Sequence, residues 1–449
     1  MHAASFSQTR ESVAYCPRAK PAAAASADEP VAAVKFDGFD QQRYVHALES
    51  LGTTSDPVGV YIHIPFCPVR CLYCGCHTTI THDGEEIDRY IDALEREMDL
   101  VVAACGRNRP LFQLHFGGGT PNYLSASQLG RLVNMVGDRF QMLGETDATI
   151  ECNPRRTSPG QLELLRGLGF RRLSLGVQDL EPAVQRTIGR VQSLHMLQDI
   201  YWMAREIGFE SINFDLVYGL PNQTEQGFQN TLEQVVDLAP DRVTCFSYNH
   251  TPSCHPHQHA MDFDYLPSEL DRMSLFNRAV ETLTGAGYVW VGLDRFALDT
   301  DEWAIAQDER RLHRNCIGYT GATVNHVLAF GPSSVGQVNG GFFQNIPPLS
   351  QWHETLEQGQ FPVMRGRLLS ESEQTRRQAI IQLICNLELP VQQASEALGL
   401  EYTRLTRYAE HGFLEMTPDL IRVTSKGRFF MRDLFLTRLA GLEWDNIGC

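Results

Sequence analysis

Short apolar runs alternate with helical stretches along most of the chain after Gly59. GVYIHI is followed by EIDRYIDALEREMDLVV, FQLHF by SASQLGRLVNMVGDRF, ATIEC by GQLELLRGLG, and RLSLG by SLHMLQDIYWMAREIG. SINFDLV, RVTCFSY and YVWVG continue the series, and a long helix is predicted near residues 267–287. Alternation of this kind is typical of an α/β fold in which helices cover a parallel sheet.

Six of the predicted strands end in residues that a purely structural loop does not need. Because the carboxyl ends of parallel strands meet on one rim, these residues are predicted to lie together, as reactive groups do in α/β barrels. In strand order they are the cysteines of residues 67–76, the glycines and threonine of residues 117–120, Glu151, Gln178 with Asp179, Asp215 with Tyr218, and Tyr248 with Asn249 and His250.

The run YIHIPFCPVRCLYCGC places Cys67, Cys71 and Cys74 in a C-x3-C-x2-C spacing, with Cys76 two residues further on. Three thiolates on one loop can bind three irons of a [4Fe-4S] cluster, and the fourth iron then keeps an open position for chemistry. The alternative is a zinc knuckle in which Cys76 or His77 supplies the fourth ligand, although no second C-x2-C hook follows.

The second predicted strand ends in the glycine-rich loop FGGGTP. Glycine lets a backbone approach a ligand closely and exposes N–H donors. The loop lacks the Lys and Ser or Thr of a phosphate-binding loop and the spacing of a dinucleotide fingerprint. Its alternative interpretation is an ordinary tight turn between a strand and a helix.

The cysteine spacing, together with Tyr73 before Cys74, resembles the radical S-adenosylmethionine (SAM) enzymes. From about Val58 onward the chain resembles one branch of these enzymes, the oxygen-independent coproporphyrinogen III oxidase family. The matching stretches are YIHIPFC, CLYCGC, LHFGGGTPNYL, RLSLGVQDL, VQRTIGR, NFDLVYGLPNQT, LHRNCIGYT and VTSKGR.

The resemblance implies the role of each site residue. Cys67, Cys71 and Cys74 would bind the cluster, and Cys76 would take part in catalysis. Two molecules of SAM are implied, and the residues expected to contact the first or the second are Tyr61, Tyr73, Gly118, Gly119, Thr120, Glu151, Gln178, Arg190 and Asp215. Asn249 and Val335 occupy positions that line the second SAM in that family.

The resemblance also implies the architecture. A partial (β/α)6-type barrel of the radical SAM class is expected over residues 56–365. A flexible arm rich in Ala, Pro and Ser is predicted over residues 1–55. Residues 366–449 are predicted to form a smaller, mostly helical domain that is similar to a winged helix, with a two-stranded wing, and that covers the barrel. Winged helices often bind DNA, but no concentrated basic face supports that role here.

The implied reaction is oxidation without oxygen. Two propionate groups of coproporphyrinogen III would lose CO2 and become vinyl groups, giving protoporphyrinogen IX. A reduced flavodoxin or ferredoxin is the expected electron donor. The porphyrinogen is a tetra-anion, so cationic side chains are needed, and the candidates by charge alone are Arg190, Arg295, His313 and Arg314.

Several positions depart from the family pattern. The segment ESVAYCPRAKP does not match the family's N-terminal motif, and Asn249, Arg295 and Ile317 stand where the family has Ala, His and Gln. Two alternatives therefore remain: a radical methyltransferase or cyclopropanase that uses two SAM molecules, and a haem-binding chaperone without turnover. The stretch SCHPHQH at residues 253–259 is predicted to be an exposed loop rather than a second metal site.

The composition narrows the partners. Lys and Arg total 38 against 54 Asp and Glu, a net charge of -16 over 449 residues, which argues against nucleic-acid or anionic-membrane binding. The 12 cysteines follow no disulfide-like spacing, and no run of about 18 apolar residues occurs. The polar start MHAASFSQTR has no apolar core of signal length, so no signal peptide is expected. A monomeric, cytoplasmic protein is expected.

Overall fold

The structure is a computed structural model that describes residues 40–261, 263–399, 402–432 and 434. Within these residues the strands are β1 Val58–Ile64, β2 Phe66–Cys67, β3 Thr79–Ile80, β4 Arg109–Gly118, β5 Phe140–Cys152, β6 Arg172–Gln178, β7 Ser211–Tyr218, β8 Arg242–Ser247, β9 Tyr288–Val291, β10 Arg295–Leu298, β11 His313–Arg314, β12 Tyr319–Thr320, β13 Val327–Phe330, β14 Val335–Val338, β15 Gly341–Asn345, β16 Val363–Leu368, β17 Glu388–Pro390, β18 Leu414–Met416 and β19 Leu420–Val423. The helices are α1 Gln41–Gly52, α2 Gly84–Cys105, α3 Ala126–Gly137, α4 Pro159–Gly167, α5 Pro182–Thr187, α6 Leu194–Ile207, α7 Glu225–Leu238, α8 Glu269–Gly285, α9 Glu302–Asp308, α10 Leu349–Glu357, α11 Glu371–Asn386, α12 Val391–Leu398, α13 Tyr402–Glu410 and α14 Ser425–Phe429.

One large sheet organises the fold, with the strand order β16-β15-β14-β13-β1-β4-β5-β6-β7-β8-β10-β9. The six strands β1, β4, β5, β6, β7 and β8 are parallel neighbours, and β13 joins them in parallel beside β1. The predicted α/β fold with a partial six-stranded barrel is therefore confirmed. The alternation of strands and helices did not predict that both edges of the sheet are antiparallel. The connections between β9 and β10 and between β14 and β15 are short, and parallel strands need long crossovers, so these neighbouring strands pair antiparallel.

Burial explains why the central strands form. In β1 every residue except Tyr61 is buried, as expected for a parallel strand covered on both faces. Helix α2 begins at the N-cap Asp83, whose side chain accepts from the backbone N–H of Glu85, and it buries a stripe that includes Tyr90, Leu94 and Met98. The carboxyl ends of the parallel strands thereby form one rim.

Helix α1 corrects the prediction of a flexible arm over residues 1–55. Tyr44, Leu48 and Leu51 are buried at helical spacing, and the Tyr44 ring lies 4.8 Å from that of Phe343. The Ala- and Pro-rich stretch before it obscured this short amphipathic pattern. Residues 1–39, which hold the rest of the predicted arm, lie outside the described residues.

The C-terminal region is mostly helical, as predicted, with α11, α12 and α13 beside a small antiparallel sheet. This sheet has the order β17-β19-β18, one strand more than the predicted wing. Leu293 and Phe342, from the part of the chain predicted to be the barrel, share a buried cluster with Ile380 and Leu383 of α11. Strand β16 crosses the predicted boundary at residue 366, so the domain limits remain a prediction.

Helix α2 contains a buried carboxylate beside the carboxyl end of β13. Glu97 is 2% exposed and accepts hydrogen bonds from Gly331 N at 2.8 Å and Asn345 Nδ2 at 2.5 Å. Burial raises the pKa of Glu97 to about 7, although both hydrogen bonds act in the opposite direction.

We expect this group to make stability fall as pH rises. The pKa of Glu97 in the folded protein lies above its value in the unfolded chain. The contribution of Glu97 to the free energy of unfolding is therefore complete below about pH 4.5 and is lost as pH rises through about 7, by up to roughly 3 kcal/mol. Glu97→Gln should flatten this slope in denaturant unfolding measured from pH 5 to pH 8. The exposed Glu163→Gln of α4 is the control, and an unchanged slope in Glu97→Gln would contradict the assignment.

Candidate active site

The cysteine loop, residues 67–76, follows β1 directly and is held at its base by backbone bonds. Cys67 ends β2, which pairs with β3, and Leu72 N donates to Ile188 O at 3.0 Å. Cys67 is buried, whereas Cys71, Cys74 and Cys76 are half-buried, and all four are free of disulfides. The structure therefore brings the predicted thiols to the rim of the sheet.

The thiols have distinct surroundings. Cys67 Sγ lies 3.1 Å from Thr120 Oγ1, and burial raises the pKa of the Cys67 thiol to about 11. Cys71 Sγ accepts from Arg190 Nη1 at 3.6 Å and from Arg155 Nη2 at 3.9 Å. A hydrogen bond with the side chain of Cys76 lowers the pKa of Cys74 to about 7. Burial acts in the opposite direction, and a hydrogen bond with the backbone of Cys76 adds to the lowering. Cys76, the predicted catalytic residue, thus contacts a predicted ligand.

These residues fit an iron-sulfur cluster better than a zinc ion. No three His, Cys, Asp or Glu side chains among the described residues converge on one metal ion, as a zinc knuckle requires. Each thiolate of a [4Fe-4S] cluster binds a different iron, so its three cysteines need no common focus. Arg190 is 7% exposed, and its Nε has no partner within the described residues, which leaves a buried cation aimed at the thiols.

The glycine loop is packed too tightly for any side chain. A Cβ on Gly117 would lie 2.8 Å from Glu151 Oε1, and one on Gly119 would lie 2.7 Å from Pro65 O and 3.0 Å from Cys67 Sγ. The expectation of free N–H donors is wrong. Gly118 N donates to Glu151 Oε2, Gly119 N to Ile64 O, and Thr120 N to Phe66 O, so the loop fixes the base of the cysteine loop.

Gly119→Ala is expected to displace Cys67. Relieving the overlap should cost about 1–3 kcal/mol of unfolding free energy and lower 5′-deoxyadenosine formation about a hundredfold through misplacement of the reacting groups. Iron content, denaturant unfolding and anaerobic SAM cleavage measure this. Gly130→Ala in α3 is the matched control, because its Cβ would meet nothing within 4 Å. Normal iron content and SAM cleavage in Gly119→Ala would contradict the argument.

Two histidines that the sequence analysis missed organise Tyr61 and Glu151. His115 Nε2 lies 3.0 Å from Glu151 Oε1, and its ring stacks on Tyr61 at 5.7 Å. His63 Nε2 donates to His77 O at 2.9 Å, and burial lowers the pKa of His63 to about 4. Neutral His63 therefore accepts from Tyr61 OH at Nδ1, 3.2 Å away. Their signal in the sequence was polar residues at alternate positions of two otherwise apolar strands.

Strand β6 bends where it meets Arg190. Its register with β7 shifts between Gly176 and Gln178, and Gln178 adopts a φ of 67°, which is uncommon for a residue other than glycine. Arg190 Nη2 donates to Gly176 O at 2.7 Å, and a Cβ on Gly176 would lie 2.8 Å from both Arg190 Nη2 and Gln178 Nε2. The structure therefore brings Gln178 and Arg190 together beside Cys71.

Asp215 lies on the neighbouring strand β7, opposite Gly176. Its carboxylate accepts from Ser174 Oγ at 2.6 Å and from Asn213 Nδ2 at 2.8 Å. Burial raises the pKa of Asp215, and the charge of Arg295 opposes that shift. Ser174 and Asn213, which the sequence analysis did not single out, therefore orient this predicted SAM contact.

The remaining predicted residues are placed differently. The Tyr73 side chain packs with an apolar cluster that includes Val184 and Tyr248. Asn249 is exposed after β8, and Val335 starts β14 and packs against the C-terminal cluster. Within the described residues, no hydrogen bond or ring contact joins the side chains of Asn249 and Val335 to the thiols. Their predicted contact with a second SAM stays a prediction.

The cationic candidates differ in what they offer an anion. Arg295 lies 4.7 Å above the Phe246 ring, and its Nε is 3.6 Å from Asp294 Oδ1. Arg314 lies beside the Tyr319 ring at 5.8 Å. The prediction of His313 as a cationic candidate is wrong. Burial and then the charge of Arg377 lower its pKa to about 4, which leaves His313 neutral near pH 7. Besides Arg190, Arg295 is thus the candidate whose charge acts on a predicted SAM contact, the Asp215 carboxylate.

The histidine-rich stretch after β8 is not simply an exposed loop. Residues Pro256–Ala260 form a 3-10 helix whose Gln258 is fully buried. Gln258 accepts from Thr251 N at 2.7 Å and donates to Tyr73 O at 3.3 Å, and His257 Nε2 donates to Cys74 O at 2.8 Å. Through these hydrogen bonds the segment holds the backbone of the cysteine loop, and we call this arrangement the clasp. No local pattern in the sequence indicated it.

Gln258→Ala is expected to loosen the cysteine loop. It leaves Thr251 N and Tyr73 O, both of half-buried residues, without this partner, at a cost of about 1 kcal/mol each. The cluster should be lost faster in air and the free energy of unfolding should fall, as measured by visible absorbance and denaturant unfolding. The exposed Gln360→Ala is the control; equal cluster lifetimes in the two variants would rule out the clasp.

Comparison with known proteins agrees with this geometry. The family model of the radical SAM superfamily matches residues 61–235, which carry the cysteine and glycine loops. This part of the chain is therefore similar to the radical SAM class of proteins.

Full-length relatives narrow the family. The chain is 35% identical over 415 residues to the oxygen-independent coproporphyrinogen III oxidase of Pseudomonas aeruginosa, which covers 90% of both chains. The corresponding protein of Escherichia coli K12 is 35% identical over 413 residues, again covering 90% of both. A solved structure of coproporphyrinogen III oxidase from Escherichia coli, described as a radical SAM enzyme, matches with a TM-score of 0.85 and 34% identity over 90% of this chain and 94% of that one. The protein is a member of the oxygen-independent coproporphyrinogen III oxidase family.

Proposed function

We propose that the protein catalyses the oxygen-independent decarboxylation of two propionate groups of coproporphyrinogen III, giving protoporphyrinogen IX. The observation that carries the proposal is the rim on which three thiols, a packed glycine loop, Glu151, Asp215 and the buried Arg190 meet. Similarity over nine tenths of the chain to curated enzymes of this activity supports the substrate.

The cofactors are a [4Fe-4S] cluster and SAM, which together supply a 5′-deoxyadenosyl radical able to remove a hydrogen atom from a propionate β-carbon. Cys67, Cys71 and Cys74 are proposed to bind three irons, with Arg190 offsetting the negative charge of the thiolates. Glu151 accepts two hydrogen bonds from the protein, and a carboxylate has about four lone-pair sites, so it can also accept from ribose hydroxyls.

The other predicted contacts line the same rim. Tyr61 and Gln178 lie beside Glu151 and Arg190 respectively, and Asp215 is fixed by Ser174 and Asn213. Arg295 is proposed to bind a propionate of the substrate. A second SAM would lie toward Asn249 and Val335.

The decisive experiment is an anaerobic assay of the reconstituted protein with SAM, dithionite and coproporphyrinogen III, with products identified by mass. Two successive losses of the mass of formic acid, with two 5′-deoxyadenosines per product, are expected. Methylated or cyclopropanated porphyrin would instead establish the two-SAM alternative. Haem binding without SAM cleavage would establish the chaperone alternative.

The proposed function also implies the partners of the protein. A reduced flavodoxin or ferredoxin is the electron donor, since the cluster needs a low-potential one-electron carrier. The C-terminal region shares a core cluster with Leu293 and Phe342 and is proposed to be a cover rather than a nucleic-acid-binding domain. A monomer in the cytoplasm fits the ten free cysteines among the described residues. No helix in the described part of the chain is long and apolar enough to span a membrane.

A further inference from the structure

The cysteine loop and two chain segments that contact it carry a net positive charge, opposite in sign to the charge of the whole protein. They are residues 67–80, 153–158 and 186–193. Contacts join them, since Leu72 N bonds Ile188 O, and Arg155 and Arg190 both reach Cys71 Sγ. Together they contain five arginines and no Asp or Glu, in a chain whose net charge is -16.

The arginines are available to a partner. Arg70, Arg156 and Arg186 are exposed, and Arg155 is half-buried. None of these four forms an ion pair within the described residues, although Arg70 donates to Thr78 O and Arg156 lies over the Tyr123 ring. Among the nearest acidic residues along the chain, Asp83 and Glu85 are paired with Arg89, and Glu151 contacts His115 and Gly118 N. Within the described residues, no ion pair joins Glu151 or Glu181 to these arginines. The positive charge of this surface is therefore not neutralised locally.

Apolar side chains interrupt the basic surface. Val69 of the cysteine loop is 64% exposed, and Val191, next to Arg190, is 63% exposed. Leu72 of the same loop has its Cγ 3.6 Å from the position of a Cβ on Gly189, two residues before Val191. An apolar centre with a charged rim is the usual anatomy of a protein-protein interface. Its position beside three half-buried cysteines places a docked partner next to the predicted cluster.

We propose that this basic surface, formed by Val69, Arg70, Arg155, Arg156, Arg186 and Val191, is the docking site of an acidic, low-potential one-electron carrier protein such as a reduced flavodoxin. The inference rests on the proposed function. An acidic carrier is repelled by most of a protein with a charge of -16, so a local basic surface is needed to orient it. One electron passes from the carrier, which is oxidised, to the cluster, which is reduced, and no proton or covalent bond is exchanged.

The test uses the double variant Arg156→Glu/Arg186→Glu, which reverses charge at two exposed positions outside the cofactor contacts. Arg43→Glu/Arg407→Glu changes the net charge equally on α1 and α13 and is the matched control. In low salt, the affinity for oxidised flavodoxin and the rate of cluster reduction by reduced flavodoxin should each fall at least about tenfold in the double variant only. Both differences should shrink as salt is added.

Reduction by dithionite separates this inference from the proposed function. The double variant should form 5′-deoxyadenosine with dithionite at the wild-type rate. Wild-type and double-variant proteins that bind flavodoxin equally and are reduced by it equally would overturn the docking site. A wild-type protein that cleaves no SAM with dithionite would overturn the proposed function instead, while flavodoxin affinity would still decide the docking site.

Discussion

Replacement of Cys67 by alanine is expected to abolish 5′-deoxyadenosine formation. Cys67 is the most buried of the four thiols in the loop, at 8% exposure, and it is fixed by Thr120 and by the tight packing of Gly119. Its loss would leave one iron of the proposed cluster without a protein ligand. Iron and sulfide content, visible absorbance and anaerobic SAM cleavage measure the effect, and all should fall to background.

The exposed thiol Cys254 provides the control for this prediction. Cys254→Ala removes a cysteine outside the loop and should leave iron content and SAM cleavage unchanged. Circular dichroism of Cys67→Ala should match that of the wild type, which separates cluster loss from unfolding. A Cys67→Ala protein that retains a full cluster and cleaves SAM would show that the ligands lie elsewhere.

Loss of the cation at Arg190 is expected to have the second largest effect. Arg190 is 7% exposed, donates to Cys71 Sγ at 3.6 Å and to Gly176 O at 2.7 Å, and lies beside Gln178. Arg190→Gln removes a buried positive charge next to the thiolates and leaves the bend in β6 without its donor. The rate of SAM cleavage with dithionite should fall roughly a thousandfold, as for removal of one preorganised electrostatic contact.

Two further variants test whether the charge or the shape of Arg190 matters. Arg190→Lys keeps the charge but not the planar fork, so it should recover only part of the rate. Arg186→Gln removes an exposed arginine four residues earlier and should leave the dithionite-driven rate unchanged. The cluster of Arg190→Gln should also be reduced at a more negative potential, which a merely structural defect would not produce. An unchanged potential would limit Arg190 to a structural role.

The cysteine loop and the parallel core of the sheet could be predicted from the sequence. Three thiols within eight residues can share one cluster whatever the rest of the chain does, and the alternation of strand and helix patterns restricts the fold to an α/β class. The glycine loop could also be located, but its function could not. Its N–H groups proved to be committed to Glu151, Ile64 and Phe66, a pairing that depends on the register of neighbouring strands.

The rest of the site was decided by contacts between residues that are distant in the sequence. Arg190 meets Cys71 across 119 residues, and Gln258 meets Tyr73 across 185 residues. His115 and Glu151 come together only because β4 and β5 are parallel neighbours. The sequence alone determined the class of fold and led to the prediction of the cluster ligands, since both depend on local spacing. The tertiary structure decided the buried cation, the clasp on the cysteine loop and the orientation of the carboxylates, because no local pattern records which distant side chains meet.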